Sequence, residues 1–403
     1  MSDWEMVALG ELGTFSGGVT SIKREDYGFG TPFLTYKNVY SNWRVSTEEL
    51  ELMNVPQKDL DRKDCRYGDV FFTASSETED EVAMSSVLLE NVPQLTFNGF
   101  CKRFRPHSFD RLIPSFAVYW FRTRRFRGEV YQVVNGDTRF NINQAALAGI
   151  SMPLPSIAEQ EAIAEVLSSL DDKIDLLKRQ NKTLEGMAEA LFRQWFIVLE
   201  KENVETWKKL SQVTVKITDG THSTVRDDPD GSFFLLSAKN IKDGQVVTGN
   251  SERRISEETL NSLRKRTQTQ KGDVLLTTVG TIGESTVLHE APNFELQRSV
   301  AIIRVNKVDI TPNFLFQFMQ TRLFMHEVDS RVEGSVQKCL FLNAIGDIEV
   351  PIPTNKKLEA FDSSIGLFRS KITNNQRSIV RLEAKRDTLL PKLMSGEVRV
   401  QMD

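Results

Sequence analysis

Apolar residues between positions 157 and 195 recur in steps of four and three: Ile163, Leu167, Leu170, Ile174, Leu177, Leu184, Ala188, Leu191 and Trp195, with Asn181 at one seam position. No proline and a single glycine, Gly186, interrupt the stretch. Such a 3.5-residue period is the seam of a coiled coil, narrower than the stripe of a globular helix. A second stretch gives Leu358, Phe361, Ile365, Phe368, Ile372, Asn375, Ile379 and Leu382, then Leu389 after a polar Arg386. It is expected to stop at Pro391, with Gly396 beyond. Each stretch predicts a helix of about 35–40 residues, roughly 55–60 Å long.

The two stretches are copies, related by an offset of 198 residues. Gly149-Ile150-Ser151-Met152-Pro153-Leu154-Pro155 precedes the first, and Asp347-Ile348-Glu349-Val350-Pro351-Ile352-Pro353 precedes the second. Further upstream, Phe33-Leu34-Thr35-Tyr36-Lys37-Asn38 is echoed by Phe234-Leu235-Leu236-Ser237-Ala238-Lys239-Asn240, and Gly68-Asp69-Val70 by Gly272-Asp273-Val274. The chain therefore reads as globule, helix, globule, helix, with boundaries at 1–154, 155–202, 203–354 and 355–403. Runs 70–73, 233–236, 274–277 and 300–305 predict strands, and 115–122 and 312–318 predict matching helices. The fold class is α/β, of the mixed α+β kind, with a strand order that the sequence leaves open.

Charge adds a direction. From 157 to 199 eight acids face five bases, and from 356 to 390 eight bases face four acids. An acidic and a basic helix favour pairing within one chain over pairing of like with like. Duplication then suggests a pseudo-twofold axis, an antiparallel pair and a globule at each end. The expected interface is Leu167, Leu170, Ile174, Leu177, Asn181 and Leu184 against Ile365, Phe368, Ile372, Asn375, Ile379 and Leu382. Asn181 and Asn375 are expected to face each other, a buried polar pair that fixes register at some cost in stability.

Composition excludes more than it assigns. With 40% hydrophobic and 26% charged residues over 403 positions, the chain can bury two or more cores. No apolar run reaches the ~20 residues that span a bilayer, and Met1-Ser2-Asp3-Trp4-Glu5 lacks the features of a signal peptide. Three scattered cysteines, Cys65, Cys101 and Cys339, suggest a reducing compartment, so the expectation is cytoplasmic. The net charge of −4 hides basic clusters at 102–105, 122–127, 253–254 and 264–266, and local positive potential is what phosphate binding requires. Phosphate-cradling and dinucleotide fingerprints are missing, and His107, His222, His289 and His326 lack metal-ligand spacing. Neither a catalytic residue nor a metal site is expected.

These strings, doubled in fixed order, resemble the specificity subunit of type I restriction-modification systems over essentially the whole length. The first copy carries Leu9-Gly10-Glu11-Leu12, Asp137-Thr138-Arg139-Phe140-Asn141, the Pro153/Pro155 pair and Ala188-Glu189-Ala190-Leu191-Phe192-Arg193-Gln194-Trp195-Phe196. The second carries Thr218-Asp219-Gly220-Thr221-His222-Ser223-Thr224, Gly334-Ser335-Val336-Gln337-Lys338 and Leu389-Leu390-Pro391-Lys392-Leu393-Met394-Ser395-Gly396-Glu397. The resemblance implies two target recognition domains, each reading half of a bipartite double-stranded DNA site. The helices would set the gap and dock two methyltransferase subunits, with two motor-nuclease subunits in the full complex. S-adenosylmethionine, ATP and Mg would sit on those partners, and this chain would bind no cofactor itself. The competing class is a protein scaffold of two adaptor globules on a helical strut.

Candidate DNA contacts follow from side-chain chemistry. Lys37-Asn38 and Lys239-Asn240 recur after a strand in both copies, and Asn can take adenine bidentately. Thr221, His222 and Ser223 follow an Asp-Gly turn and are expected at a loop tip. Arg139 in one copy and Gln337 and Lys338 in the other precede the helices, and Arg124 and Arg125 are phosphate candidates.

Overall fold

The computed structural model describes residues 4–136, 139–249, 252–334 and 338–400. Two compact units divide the chain: Met1–Leu177 with Arg377–Asp403, and Lys178–Gln376. The division falls inside both long helices, so each unit holds one globule and a stretch of each helix.

The duplication extends to strand order. In the first unit an antiparallel sheet runs Gly13–Gly17, Cys101–Pro106, Val70–Thr73, Ser85–Val87. In the second the order is Thr214–Asp219, Val300–Val305, Val274–Thr277, Ser285–Val287. Beside each lies a three-stranded sheet containing one parallel pair: Tyr27–Leu34 with Thr96–Phe97, and Phe233–Leu236 with Phe294–Leu296. The four strands predicted from apolar runs are present at those bounds. The two predicted helices form as Pro114–Trp120 and Pro312–Met319. Proline opens each, where its missing N–H costs nothing.

Corresponding ion pairs, each with a buried carboxylate and a half-buried arginine, tie the sheets. Arg105 bonds Asp69 through Nε and Nη2 at 2.7 Å, and Arg304 bonds Asp273 at 2.7 and 2.9 Å. Each carboxylate also accepts a backbone N–H three residues upstream, from Arg66 or Gln270. The Gly-Asp turn before each strand is thus a cap for the sheet as well as a turn.

The first long helix runs Ile157–Phe192 and continues as a π turn, Arg193–Val198. That turn rotates Phe196 onto Phe314 and Phe361, with centroids at 4.9 and 5.3 Å, in the core of the second unit. The second helix runs Asn355–Ser395 and passes through Pro391, contrary to the stop expected there. A proline inside a helix forfeits one backbone hydrogen bond. Burial of Leu390, Leu393 and Met394 in the first unit's core holds the following turn helical. Gly396, at φ +70°, terminates it instead.

Both units contain antiparallel helix contacts. In the first, Ile174 and Leu177 pack with Ile379 and Leu382, and Arg386 bonds Asp171 at 2.9 Å. In the second, Phe192 meets Phe361 at 5.7 Å, and Asn375 Nδ2 donates to Asn181 Oδ1 at 2.8 Å with both side chains buried. The facing asparagines expected from the heptad break are therefore present. Among the described residues, no helix is long and apolar enough to cross a membrane.

Candidate nucleic-acid interface

In both copies a glycine lets the end of the first sheet strand close on the neighbouring parallel pair. A Cβ on Gly18 would lie 2.4 Å from the Phe97 carbonyl oxygen, and one on Gly220 would lie 2.1 Å from that of Leu296. The next residue then forms a parallel bridge, Val19 with Asn98 and Thr221 with Gln297. This corrects the expected loop tip: Thr221 is buried, and its hydroxyl accepts from Ser223 N at 3.1 Å. His222 and Ser223 do project to solvent. His222 Nε2 lies 2.6 Å from Asp219 Oδ2, and Asp219 Oδ1 also accepts from Arg266 Nη1 at 3.2 Å.

The Lys-Asn pairs divide into one exposed and one structural residue. Asn38 Nδ2 donates to Ser46 O at 2.8 Å, and Asn240 Nδ2 donates to Val247 O at 3.0 Å; both side chains are buried. Their carbonyls accept backbone N–H groups, from Ser46 at 3.1 Å and Ser237 at 2.9 Å. Asn38 and Asn240 therefore hold their turns and are withdrawn from adenine, because a buried amide bonded on both sides has nothing left to offer a base. Lys37 remains exposed, and Lys239 pairs with Glu252 at 3.1 Å while staying 62% exposed.

Several residues of the basic clusters are tied to carboxylates within their own globule, Arg266 while staying exposed. Arg103 is buried beside Asp64 and Asp69, Arg264 bonds Glu295, and Arg266 bonds Asp219. Arg122 donates to the carbonyls of Val39, Asn42 and Ser85, and burial pulls its guanidinium down to about 10. Strand alternation turns Arg103 inward, where carboxylates compensate the desolvation.

A cleft opens in each globule, at related places. The first is lined by Tyr36, Ser75, Ser76, Glu81 and Arg139, with Phe100 57% exposed and the Arg139 guanidinium 5.8 Å from its ring. Its rim is the acidic segment 77–81, held by Arg127 through backbone carbonyls and by Tyr131 through Asp80. The second cleft, of about 380 Å³, is lined by Asp219, His222, Gln297, Arg298, Cys339 and Phe341 among others. Of the sequence-derived candidates, the structure brings Arg139 to the first cleft and His222 to the second. Lys338 is exposed one residue before the Cys339 wall, and Gln337 lies outside the described residues, as do Asp137, Thr138, Ser335 and Val336 of the family strings.

Arg124 and Arg125 belong to neither cleft. Arg125 Nη2 contacts Met6 Sδ at 3.3 Å. Arg124 lines a hollow with Trp43, Leu390 and Pro391. Arg322, at the matching position in the second unit, lines a hollow with Glu189, Arg193 and Ile197. Sequence reading missed Phe100, Gln297, Arg298 and Phe341. Aligning the copies at the Asn98 and Gln297 backbone bonds, to Leu34 O and Leu236 O, exposes them as the positions where the copies differ.

Residues 1–186 match the family model described as type I restriction modification DNA specificity domain. The chain is 25% identical over 421 residues to the type I restriction enzyme MjaIX specificity subunit of Methanocaldococcus jannaschii, covering 99% of this chain and 94% of that protein. It is 26% identical over 300 residues to the EcoBI specificity subunit of Escherichia coli, covering 65% of this chain and 61% of that one. A solved structure, the S subunit of a type I restriction-modification system from M. genitalium, shares the fold with a TM-score of 0.56 at 16% identity, covering 100% of this chain and 97% of that one.

Proposed function

We infer that this chain, which carries the type I restriction modification DNA specificity domain, is the DNA sequence-recognition subunit of a type I restriction-modification complex. The observation that carries the reading is one skeleton used twice, with the same strand order and ion pair but different side chains at the same cleft. A protein that reads two unlike half-sites requires that combination. The first globule reads one block of an asymmetric bipartite site and the second globule reads the other. Linking both readers in one chain makes the second contact intramolecular and raises its effective concentration.

The helix pair sets the gap between half-sites; blocks about one turn apart, roughly 34 Å, lie on one face of the duplex. Two methyltransferase subunits dock on the chain, one per unit, and the hollows beside Arg124 and Arg322 offer a repeated partner the same footing twice. Those partners carry S-adenosylmethionine and flip the target adenine from the stack, which is why a second protein must reach the DNA beside each reader. Two motor-nuclease subunits complete the assembly with ATP and Mg. The chain contributes recognition, not chemistry.

The test is to co-express the chain with a candidate methyltransferase subunit from the same host and map methylated adenines across the genome. An asymmetric two-block motif with a fixed gap, present only with this chain, is the expected result. A complex that forms without new methylation would point to the scaffold instead.

A further inference from the structure

Arg298 stands out because its side chain is exposed and has no hydrogen bond or ion pair among the described residues, whereas Arg103, Arg105, Arg264, Arg266 and Arg304 are all tied to carboxylates. Its backbone is fixed on several sides. Arg298 N donates to Thr221 O at 3.0 Å, Gln297 N to Leu236 O at 2.8 Å, and Thr278 N to Ser299 O at 2.9 Å. A long cationic side chain on so rigid a base is what directional recognition needs.

Its surroundings do not neutralise it. Asp219, the carboxylate lining the same cleft, is already engaged by His222 at 2.6 Å and Arg266 at 3.2 Å. The His222 ring nitrogen not facing Asp219 is left for a ligand. Leu340 and Phe341 line the same cleft, the latter 49% exposed, so it combines hydrogen-bond donors with an apolar wall.

The first globule discriminates between a base and a phosphate role. Gly99 occupies the place of Arg298, and Thr20 that of His222, by the matched strand bridges. A Cβ on Gly99 would lie 2.5 Å from Thr20 Cγ2, so the close approach favours glycine there. A backbone-phosphate contact would serve either half-site equally and be kept in both copies. A contact present in one copy only is the mark of base reading.

We propose that the second globule's cleft reads a guanine in its half-site, with Arg298 as the specificity-determining residue aimed at O6 and N7 and His222 as the neighbouring contact. The guanidinium fork matches those two acceptors in the major groove. The inference rests on the DNA-recognition reading and narrows it to one base.

The experiment maps adenine methylation made by the full complex containing wild-type chain, Arg298→Ala or Arg298→Lys. The wild-type map should place a guanine in one block. Arg298→Ala should make that position degenerate, with discrimination falling about ten- to a hundredfold, while the other block and the gap stay unchanged. Arg298→Lys keeps the charge but loses the fork, so it should also relax that position. An unchanged motif in both variants overturns the proposal. So does an even loss across all sites that Arg298→Lys restores, since that assigns the residue to phosphate. Melting of each variant at the wild-type temperature separates these outcomes from misfolding. If the wild-type complex makes no bipartite motif at all, the recognition reading itself has failed; if it makes one that Arg298 does not govern, only this inference has.

Discussion

Asp69 with Arg105 and Asp273 with Arg304 make one ion pair twice, yet between the central sheet strand that follows and its hairpin partner, eleven residues (74–84) stand in the first globule and seven (278–284) in the second. The longer segment is acidic and pinned by Arg127 and Tyr131; the shorter is built around Gly280-Thr281-Ile282-Gly283. Arg139 over Phe100 marks the first cleft, Arg298 beside His222 the second. The pair teaches that the parts which close the fold tolerate no divergence, because a buried charge needs its partner, whereas a cleft lip costs little to rewrite.

The largest effect should come from breaking the shared part. Asp69→Ala or Asp273→Ala leaves a half-buried guanidinium without its buried carboxylate and is expected to cost about 2–4 kcal/mol, read by denaturant unfolding of the full chain. Asp69→Ala should cost more, since Arg103 lies 3.9 Å from the same carboxylate. Equal losses would mean Arg103 draws its compensation from Asp64.

The helix seam differs between the units in a way that can be removed. Asn181 corresponds to Ile379 and Asn375 to Leu177 across the 198-residue offset, so an amide pair in one unit replaces an apolar pair in the other. Asn375→Leu alone orphans Asn181 and should cost about 1–3 kcal/mol. Asn181→Ile with Asn375→Leu should be neutral or stabilising. Thermal melting decides, and a double variant as weak as the single one would mean the amides hold more than each other.

Smaller effects sharpen the contrast of the lips. Phe100→Ala should leave the melting temperature in place, and weaken the first block about two- to fivefold through the lost cation–π contact of Arg139. Methylation mapping that shows loss in the second block would contradict the assignment. Least of all, His289 stands where the first globule has Leu89, and burial, with Arg369 and Lys271, pulls its imidazole down from 6.5 to about 4. The folded chain keeps it neutral while the unfolded chain protonates it. Its contribution is therefore full above pH 6.5 and lost as pH falls toward 4. His289→Leu should flatten the melting temperature across that window.

Much of this skeleton was legible in the sequence, and the reasons are particular. Val70–Thr73 and Val274–Thr277 were visible as apolar runs behind a Gly-Asp turn, and the asparagine pair as a break in a heptad. Strand order was not, because pairing between Gly13–Gly17 and Cys101–Pro106 spans the globule and leaves no local mark. Arg103 and Arg122 read as surface charge because a basic string does not say which residue faces in. Asn38 and Asn240 recur because the turn needs them, so repetition alone pointed to function where it meant architecture. Arg298 was invisible for the opposite reason: it is what the copies do not share.

The asparagine pair bears on how the chain is made. A ribosome releases the first long helix before the second exists, and neighbouring nascent chains can offer each other identical first helices. In such a like-with-like zipper Asn181 would meet Leu177, the counterpart of Asn375, and neither amide would find a partner. Second helices pairing together would set Asn375 against Ile379 with the same result. Only the second helix brings the matching amide, so the seam works as a lock that waits for its own key, and the chain is steered toward closing on itself before it can knit into its neighbours.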